Sequence, residues 1–384
     1  MIFKMYFIMR KSVVIGWLGT FMQLLIRLSW GVIALPISIL LNLNPVEVGF
    51  VASSFYIGYI LFSIPWGLII DKIGPNKAMA TSSAILVPLN LILFLFLRSY
   101  VLIVIIYLME GIIASSIFPS AMKIIAITYA GSSHLTFYVA ILESAGPITI
   151  LLLGAVSSFI LDSWKFLFLF FAVGFSVLCL LSLKLKVNSK STEVKRSFSV
   201  LFNKKIILAT LIRLGELWAT WGTTTWIFSM LVVYRDIPVT LSASFLFLFG
   251  LGQLIGILSV ESLVAVMGDK NVILINLIGF ILVTLLIIIT FNPYLVVAEA
   301  FLLGVFSFSY RPPTDSIIMK IGGESRAGTS IGFANAVSQL GTMIAPSLVG
   351  FVLFLTKSFA FSMFALDLGC VISIISLFLL SKLK

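Results

Sequence analysis

The stretch Gly67-Leu-Ile-Ile-Asp71-Lys72-Ile-Gly74-Pro75-Asn76-Lys77 separates two long apolar segments. Charged side chains avoid the hydrocarbon of a bilayer, and Gly74 followed by Pro75 favours a turn, so the stretch predicts a short aqueous loop between two membrane-spanning helices. The whole chain is 61% hydrophobic and only 10% charged. Apolar runs of about 20 residues, each able to cross roughly 30 Å of hydrocarbon as a helix, recur along it. We therefore predict an all-α integral membrane protein.

Twelve transmembrane helices are predicted from these runs. Their ranges are 12–40, 46–70, 77–97, 100–127, 134–160, 164–186, 205–234, 239–266, 271–291, 294–320, 326–355 and 358–382. The polar stretch between the sixth and seventh spans predicts three regions: an N-terminal six-helix bundle at 1–186, a cytoplasmic linker at 187–204 and a C-terminal six-helix bundle at 205–384.

The net charge of +11 raises the question of a nucleic-acid partner, and the placement of the cations answers it. Alternate loops put seventeen of the 25 lysines and arginines on the side that holds both termini, and four on the other side, namely Arg98, Lys165, Arg235 and Lys357. This asymmetry follows the positive-inside rule, so both termini are predicted to be cytoplasmic. The expected location is the plasma (cell inner) membrane. No nucleic-acid partner is expected.

The two halves of the chain repeat each other. An offset of 193 or 194 residues relates landmarks of one half to those of the other: Lys11 to Lys205, Pro45 to Pro238, Gly74 to Gly268, Gly111 to Gly304 and Pro119 to Pro312. Internal repeats of this kind are common among secondary transporters, so the two bundles are predicted to be pseudo-symmetric.

The pattern G-x3-D-[KR]-x-G-x2-[KR] at 67–77 resembles the signature loop of the major facilitator superfamily. The resemblance implies a cytoplasmic gating loop, whose residues here are Gly67, Asp71, Lys72, Gly74 and Lys77. In the second half Ala265 replaces the aspartate, so that loop is expected to be degenerate. The fourth span, from Gly111 through Phe118-Pro119 to Lys123, is similar to the superfamily's organic-anion branch. The family implies a secondary active transporter that works by alternating access and needs no cofactor.

Arg27 is predicted near mid-depth, since it follows the start of the first span by about 15 residues, or roughly 22 Å of helix. Small and polar residues, including Gln23, recur at helical spacing around it, so this face is predicted to line water. Glu110 reaches a similar depth in the fourth span, and the resemblance implies that both spans line the central cavity. We therefore expect an Arg27–Glu110 pair whose carboxylate exchanges a proton during transport. A permanent structural bridge is the alternative.

Arg213 looks like the repeat mate of Arg27, but it follows Arg27 by 186 residues instead of 193 or 194. It is therefore predicted about 10 Å nearer the cytoplasm, as a gate or structural pair with Glu216 at i+3. Two prolines after Arg311 predict a broken tenth span. The other substrate or coupling candidates lie in spans 5, 7 and 10: Glu143, Thr220, Trp221, Thr224, Tyr310 and Arg311.

These features favour a monomeric transporter of a small solute, with an organic anion or similar polar metabolite as the preferred substrate and protons as a coupling ion. Proton-driven efflux of an amphipathic drug is the alternative. A non-transporting membrane receptor is disfavoured, because it would not need a polar stripe through the first span. The sequence has no metal-binding, nucleotide-binding or catalytic motif, so neither a metal site nor an enzyme is expected.

Overall fold

The computed structural model describes residues 2–129, 135–185, 203–322 and 327–383. No strand occurs in these ranges, so the all-α prediction is confirmed for them. The predicted linker at 187–204 lies almost entirely outside the described residues. The helices are α1 (Ile2–Leu28), α2 (Trp30–Leu41), α3 (Pro45–Ile73), α4 (Pro75–Phe96), α5 (Tyr100–Ala114), α6 (Ile117–Thr128), α7 (Leu135–Glu143), α8 (Ala145–Ile160), α9 (Lys165–Lys184), α10 (Lys204–Tyr234), α11 (Val239–Met267), α12 (Asp269–Ile289), α13 (Pro293–Phe308), α14 (Arg311–Gly322), α15 (Ala327–Thr356) and α16 (Phe359–Lys382).

These helices account for the twelve predicted spans. Within the described residues, eleven helices or pairs of helices are long and apolar enough to cross a membrane. The twelfth span is α10, whose 31 residues are also long enough but include Arg213, Glu216 and several threonines. Its polar composition lowers its hydropathy, and it is the helix on which several candidate site residues lie.

Four spans are interrupted, each at a serine: Ser29, Ser115, Ser144 and Ser309. In every case the serine hydroxyl donates a hydrogen bond to a backbone carbonyl three or four residues earlier, at 2.6–3.1 Å. Such bonds compete with the helix ladder and bend helices. Only the break in the tenth span was predicted, from the two prolines after Arg311. Both prolines lie in the first turn of α14, where proline is tolerated. Spans 1, 4 and 5 are each formed by two helices that meet at one of these serines.

The contacts within the chain divide it into two compact units. The first unit comprises Met1–Pro36, Ser54–Thr149 and Phe159–Glu193. The second comprises Ile37–Ser53, Ile150–Ser158 and Val194–Lys384. Each unit is built from helices packed on helices, and each contains candidate site residues.

In the first unit, α3 and α5 approach each other through two glycines. A Cβ at Gly58 would overlap the carbonyl oxygen of Leu108, and a Cβ at Gly111 would overlap that of Phe55. Helices in membranes commonly use small residues to bring their backbones this close, because van der Waals contact is the main attraction available there.

The second unit contains the same pair of contacts between α11 and α13. Here Gly252 lies against the carbonyl of Phe301, and Gly304 against that of Phe249. Each of these four residues follows its counterpart in the first unit by 193 or 194 positions. The repeat found in the sequence is therefore also a repeat of helix packing.

Replacing Gly252 by alanine should lower the melting temperature of the purified protein, because the new methyl group forces α11 away from α13. Overpacking of this kind costs about 1–3 kcal/mol. Gly332→Ala is the matched control, since Gly332 is also helical but has nothing within 4 Å of an added Cβ. Thermal unfolding in detergent compares the two variants, and equal melting temperatures would contradict the packing described here.

Candidate functional site

The signature stretch is mostly helical. Helix α3 continues to Ile73 and α4 begins at Pro75, so Gly74 alone separates the two helices. Its φ of 90° lies in the left-handed region that glycine adopts without strain. The predicted spans left residues 71–76 as the loop, so the turn is shorter than expected. The gating candidates are distributed as follows: Gly67, Asp71 and Lys72 in α3, Gly74 in the turn and Lys77 in α4.

Asp71 forms an ion pair with Lys123, whose Nζ lies 2.7 Å from the Asp71 Oδ1. Lys123 is on α6 and ends the Phe-Pro motif quoted above, so the two motifs meet in space. The pair is largely exposed at Asp71, with 57% of its side chain accessible. Its contribution to stability is therefore small, but it fixes the end of α3 against α6.

The second unit has an ion pair between Lys320 of α14 and Asp269, the first residue of α12. The repeat mates of Asp71 and Lys123 are Ala265 and Ser316, neither of which is charged. The repeat offset places Asp269 opposite Pro75, the first residue of α4, so α12 corresponds to α4 and not to α3. The second unit therefore has no charges at the positions of the Asp71–Lys123 pair and has an ion pair between a different pair of helices instead.

Two candidates of the first unit lie beside helix breaks. Arg27 is two residues before the break at Ser29, and its guanidinium carbon is 5.4 Å from the centre of the Tyr56 ring. This is a cation–π arrangement. Glu143 is the last residue of α7, directly before the break at Ser144. The Ser144 hydroxyl accepts a hydrogen bond from the Trp17 indole at 3.3 Å.

Glu110 is completely buried, and neither of its carboxylate oxygens has a hydrogen-bond partner among the described residues. The expected ion pair between Arg27 and Glu110 is therefore not formed. Two other buried polar groups of the first unit also lack a partner among the described residues: the Tyr107 hydroxyl, one turn from Glu110 on α5, and the Gln23 amide nitrogen, one turn before Arg27 on α1. Buried polar groups without partners are rare in folded proteins and call for a specific reason.

In the second unit, Thr220 and Tyr310 come together in a buried hydrogen-bond network. The Thr220 hydroxyl contacts the Tyr310 hydroxyl and donates to the Ser307 carbonyl at 2.5 Å. Tyr310 also donates to the Glu216 carbonyl at 3.0 Å, and Thr224 donates to the Thr220 carbonyl at 2.9 Å. These hydroxyl groups are satisfied within the unit.

Arg213 pairs with Asp315 of α14 and donates to the Asn335 side chain at 3.3 Å. The prediction of an i+3 ion pair with Glu216 was wrong. Glu216 instead accepts a hydrogen bond from the Thr314 hydroxyl at 2.5 Å. The Arg213 side chain is only 4% exposed, so the pair links α10, α14 and α15 inside the unit. This geometry is that of a structural pair.

The two remaining candidates share one aromatic neighbour. The Trp221 ring lies edge-on to Phe308 with centroids 6.2 Å apart, and the Arg311 guanidinium carbon is 5.6 Å from the centre of the same Phe308 ring. Phe308 is the last residue of α13, directly before the break that precedes Arg311. The structure thus brings both candidates to the broken part of the tenth span.

Comparison with known proteins agrees with this architecture. The family model described as "Major Facilitator Superfamily" matches residues 17–346. The chain belongs to the major facilitator superfamily. Two solved structures share its fold. A point mutant of the nucleoside transporter NupG has 16% identity and a TM-score of 0.77, and the match covers 97% of this chain and 100% of that one. A D-xylose-proton symporter has 13% identity and a TM-score of 0.82, and the match covers 97% of both chains. No protein of curated function matches the chain. It is therefore a multi-pass membrane protein of a transporter family.

Several polar residues of these networks were not among the site candidates predicted from the sequence, including Tyr107, Glu216, Thr314 and Asp315. A signal for two of them was present. Glu216 lies four residues before Thr220, and Thr314 lies four residues after Tyr310, so each shares a helical face with a named candidate. Asp315 has no such signal, because its partner Arg213 is on a different helix. No group of three or more potential metal ligands occurs within the described ranges.

Arg213→Gln should destabilise the protein by about 2–3 kcal/mol, because it leaves the Asp315 carboxylate without its partner. The loss is smaller than for a fully buried pair, since the Asp315 side chain is 21% exposed. Adding Asp315→Asn to Arg213→Gln should restore most of the lost melting temperature. The melting temperatures of Arg213→Gln, Asp315→Asn and the double variant are compared. If the losses of the two single variants simply add in the double variant, a direct pair is ruled out.

Proposed function

We propose that this chain is a proton-coupled secondary transporter that moves a small polar solute, preferably an organic anion, across the plasma membrane by alternating access. It works as a monomer with both termini in the cytoplasm. The observation that carries the proposal is the completely buried Glu110 carboxyl group, whose two oxygens have no partner among the described residues. A transporter that moves protons needs a carboxyl group that can take up and release one. A carboxyl group with a purely structural role is expected to have hydrogen-bond partners.

The proton-coupling role follows from the cost of burying charge. An ionised carboxylate without hydrogen bonds or a counterion is costly in a low-dielectric interior, whereas the neutral acid is not. We infer that Glu110 carries a proton in the arrangement seen here and releases it when the site opens to water. Glu110 and Tyr107 lie on the same face of α5, so water that reaches one of them also reaches the other.

Glu110→Gln should abolish uptake driven by a pH gradient but leave exchange of substrate across the membrane measurable, because the neutral amide mimics the protonated acid. Glu299→Gln is the matched control. Glu299 is also buried in a span, but its Oε1 accepts a hydrogen bond from the Thr290 hydroxyl at 2.7 Å. Uptake by reconstituted vesicles with and without a pH gradient measures both. Unchanged pH dependence in Glu110→Gln would remove the role from Glu110, and Glu143 would be tested next.

The preference for an anion rests on the donors around Arg27. The guanidinium lies against the Tyr56 ring, and the Gln23 amide nitrogen, one turn away, is a buried donor without an acceptor among the described residues. Both groups donate hydrogen bonds, so an occupant that supplies acceptor oxygens, such as a carboxylate or phosphate, complements them. Arg27, Gln23 and Glu110 are the first-unit part of the proposed site, with Glu143 as a further coupling candidate. Thr220, Trp221, Thr224, Tyr310 and Arg311 are the second-unit candidates.

The substrate itself is to be found by thermal-shift screening, because a ligand that binds only the folded state raises its melting temperature. The panel contains organic anions, nucleosides, D-xylose and amphipathic drugs. Nucleosides and D-xylose are included because the two structural neighbours are a nucleoside transporter and a D-xylose-proton symporter. Amphipathic drugs test the alternative of proton-driven efflux.

For an anionic substrate, Arg27→Lys should weaken binding partially and Arg27→Ala severely, since lysine keeps the charge but not the bidentate fork. Neither change should lower the melting temperature without ligand by more than a small amount. Arg213→Lys is the matched control, because Arg213 is held in an ion pair and its replacement should affect stability more than binding. Binding that survives Arg27→Ala unchanged would exclude Arg27 from the substrate site.

A further inference from the structure

A cavity of about 550 Å³ opens at one end of the second unit. It is formed where α10 and α12 begin and where α11, α14 and α16 end. Its size is within the range of small-molecule sites. The cation count predicts that this end of the helices faces the cytoplasm. None of the substrate and coupling candidates described above lines it.

The polar part of the cavity wall is strongly cationic. Lys205, Lys270 and Lys320 line it together with a single acidic residue, Asp269. Lys320 is engaged by Asp269, which also accepts a hydrogen bond from Ser316 at 3.5 Å. Lys205 and Lys270 have no acidic partner in the part of the chain that the structure describes. The cavity therefore has a net positive charge carried mainly by these two lysines.

The rest of the wall is apolar: Met267, Ile317, Ile321, Leu380 and Leu383. Ile317 and Leu380 are buried, whereas Met267 and Leu383 are 40% and 38% exposed. A soluble anion would use the lysines and leave these apolar side chains against water. An occupant with a negative headgroup and a hydrocarbon chain would use both parts of the wall.

We propose that this cavity binds the phosphate group of an anionic phospholipid of the cytoplasmic leaflet. The phosphate lies between the Lys205 and Lys270 ammonium groups, and the first carbons of the lipid lie along Met267 and Leu383. The cavity lies at the ends of five helices. This position agrees with a lipid occupant, because lipid headgroups surround a transporter at the ends of its membrane-spanning helices. Neither the family membership nor the proposed transport site requires such a cavity.

The test compares lipids that differ only in charge. Phosphatidylglycerol, phosphatidylcholine or inorganic phosphate is added to the full-length protein in a neutral detergent, and melting temperature and lipid adducts by native mass spectrometry are measured. Phosphatidylglycerol should raise the melting temperature of the unmodified protein and phosphatidylcholine should not. The double variant Lys205→Gln/Lys270→Gln should bind phosphatidylglycerol about 30-fold more weakly, since each basic residue near an anionic headgroup contributes about fivefold.

Lys184→Gln is the matched control, because Lys184 is an exposed lysine at the end of α9 in the other unit and does not line the cavity. It should keep the phosphatidylglycerol response. The melting temperature of each variant without lipid shows that it is folded. Equal binding of phosphatidylglycerol by the double variant would overturn the proposal, and so would a full response to phosphatidylcholine. A full response to inorganic phosphate alone would exclude the lipid as the occupant.

Discussion

The structure depends on one constraint: the interior of a bilayer offers no hydrogen-bond partners to a polar group. Polar side chains in the spans therefore favour partners within the protein. Several side chains of the second unit have such partners. Arg213 is paired with Asp315, Glu216 accepts from Thr314, and the hydroxyls of Thr220 and Tyr310 bond to each other and to backbone carbonyls. These links join α10 to α13, α14 and α15 and stabilise the unit from within.

Three buried polar residues of the first unit depart from this rule. Gln23, Tyr107 and Glu110 are all buried, and each has at least one polar atom without a partner among the described residues. Glu110 and Tyr107 share a face of α5, and Gln23 shares a face of α1 with Arg27. Unsatisfied polar groups cost free energy, so they persist where a ligand, water or proton uses them. Glu216 and Glu299 of the second unit also have one carboxylate oxygen without a partner, but in each of them the other oxygen accepts a hydrogen bond. Neither oxygen of Glu110 does, so the proposed function relies on Glu110.

Much of the fold could be predicted from the sequence, because span length and the repeat offset depend on residue order alone. The helix breaks could not, since a serine that bonds to an earlier carbonyl sometimes breaks a helix, as at Ser29, and sometimes leaves it intact, as at Ser83. Partner choice was also beyond the sequence. Glu216 at i+3 was the nearest acid to Arg213 along the chain, but the acid that pairs with it is Asp315 on another helix. Proximity along the chain therefore favoured the wrong partner.

The ion pairs of the two units show where the internal repeat ends. Asp71 lies near the end of α3 and pairs with Lys123 of α6, whereas Asp269 begins α12 and pairs with Lys320 of α14. The repeat offset matches α12 to α4, so the two pairs restrain different helices. A helix movement that breaks one pair therefore has no required counterpart in the other unit. Two halves that share one fold are held by unequal mechanical restraints.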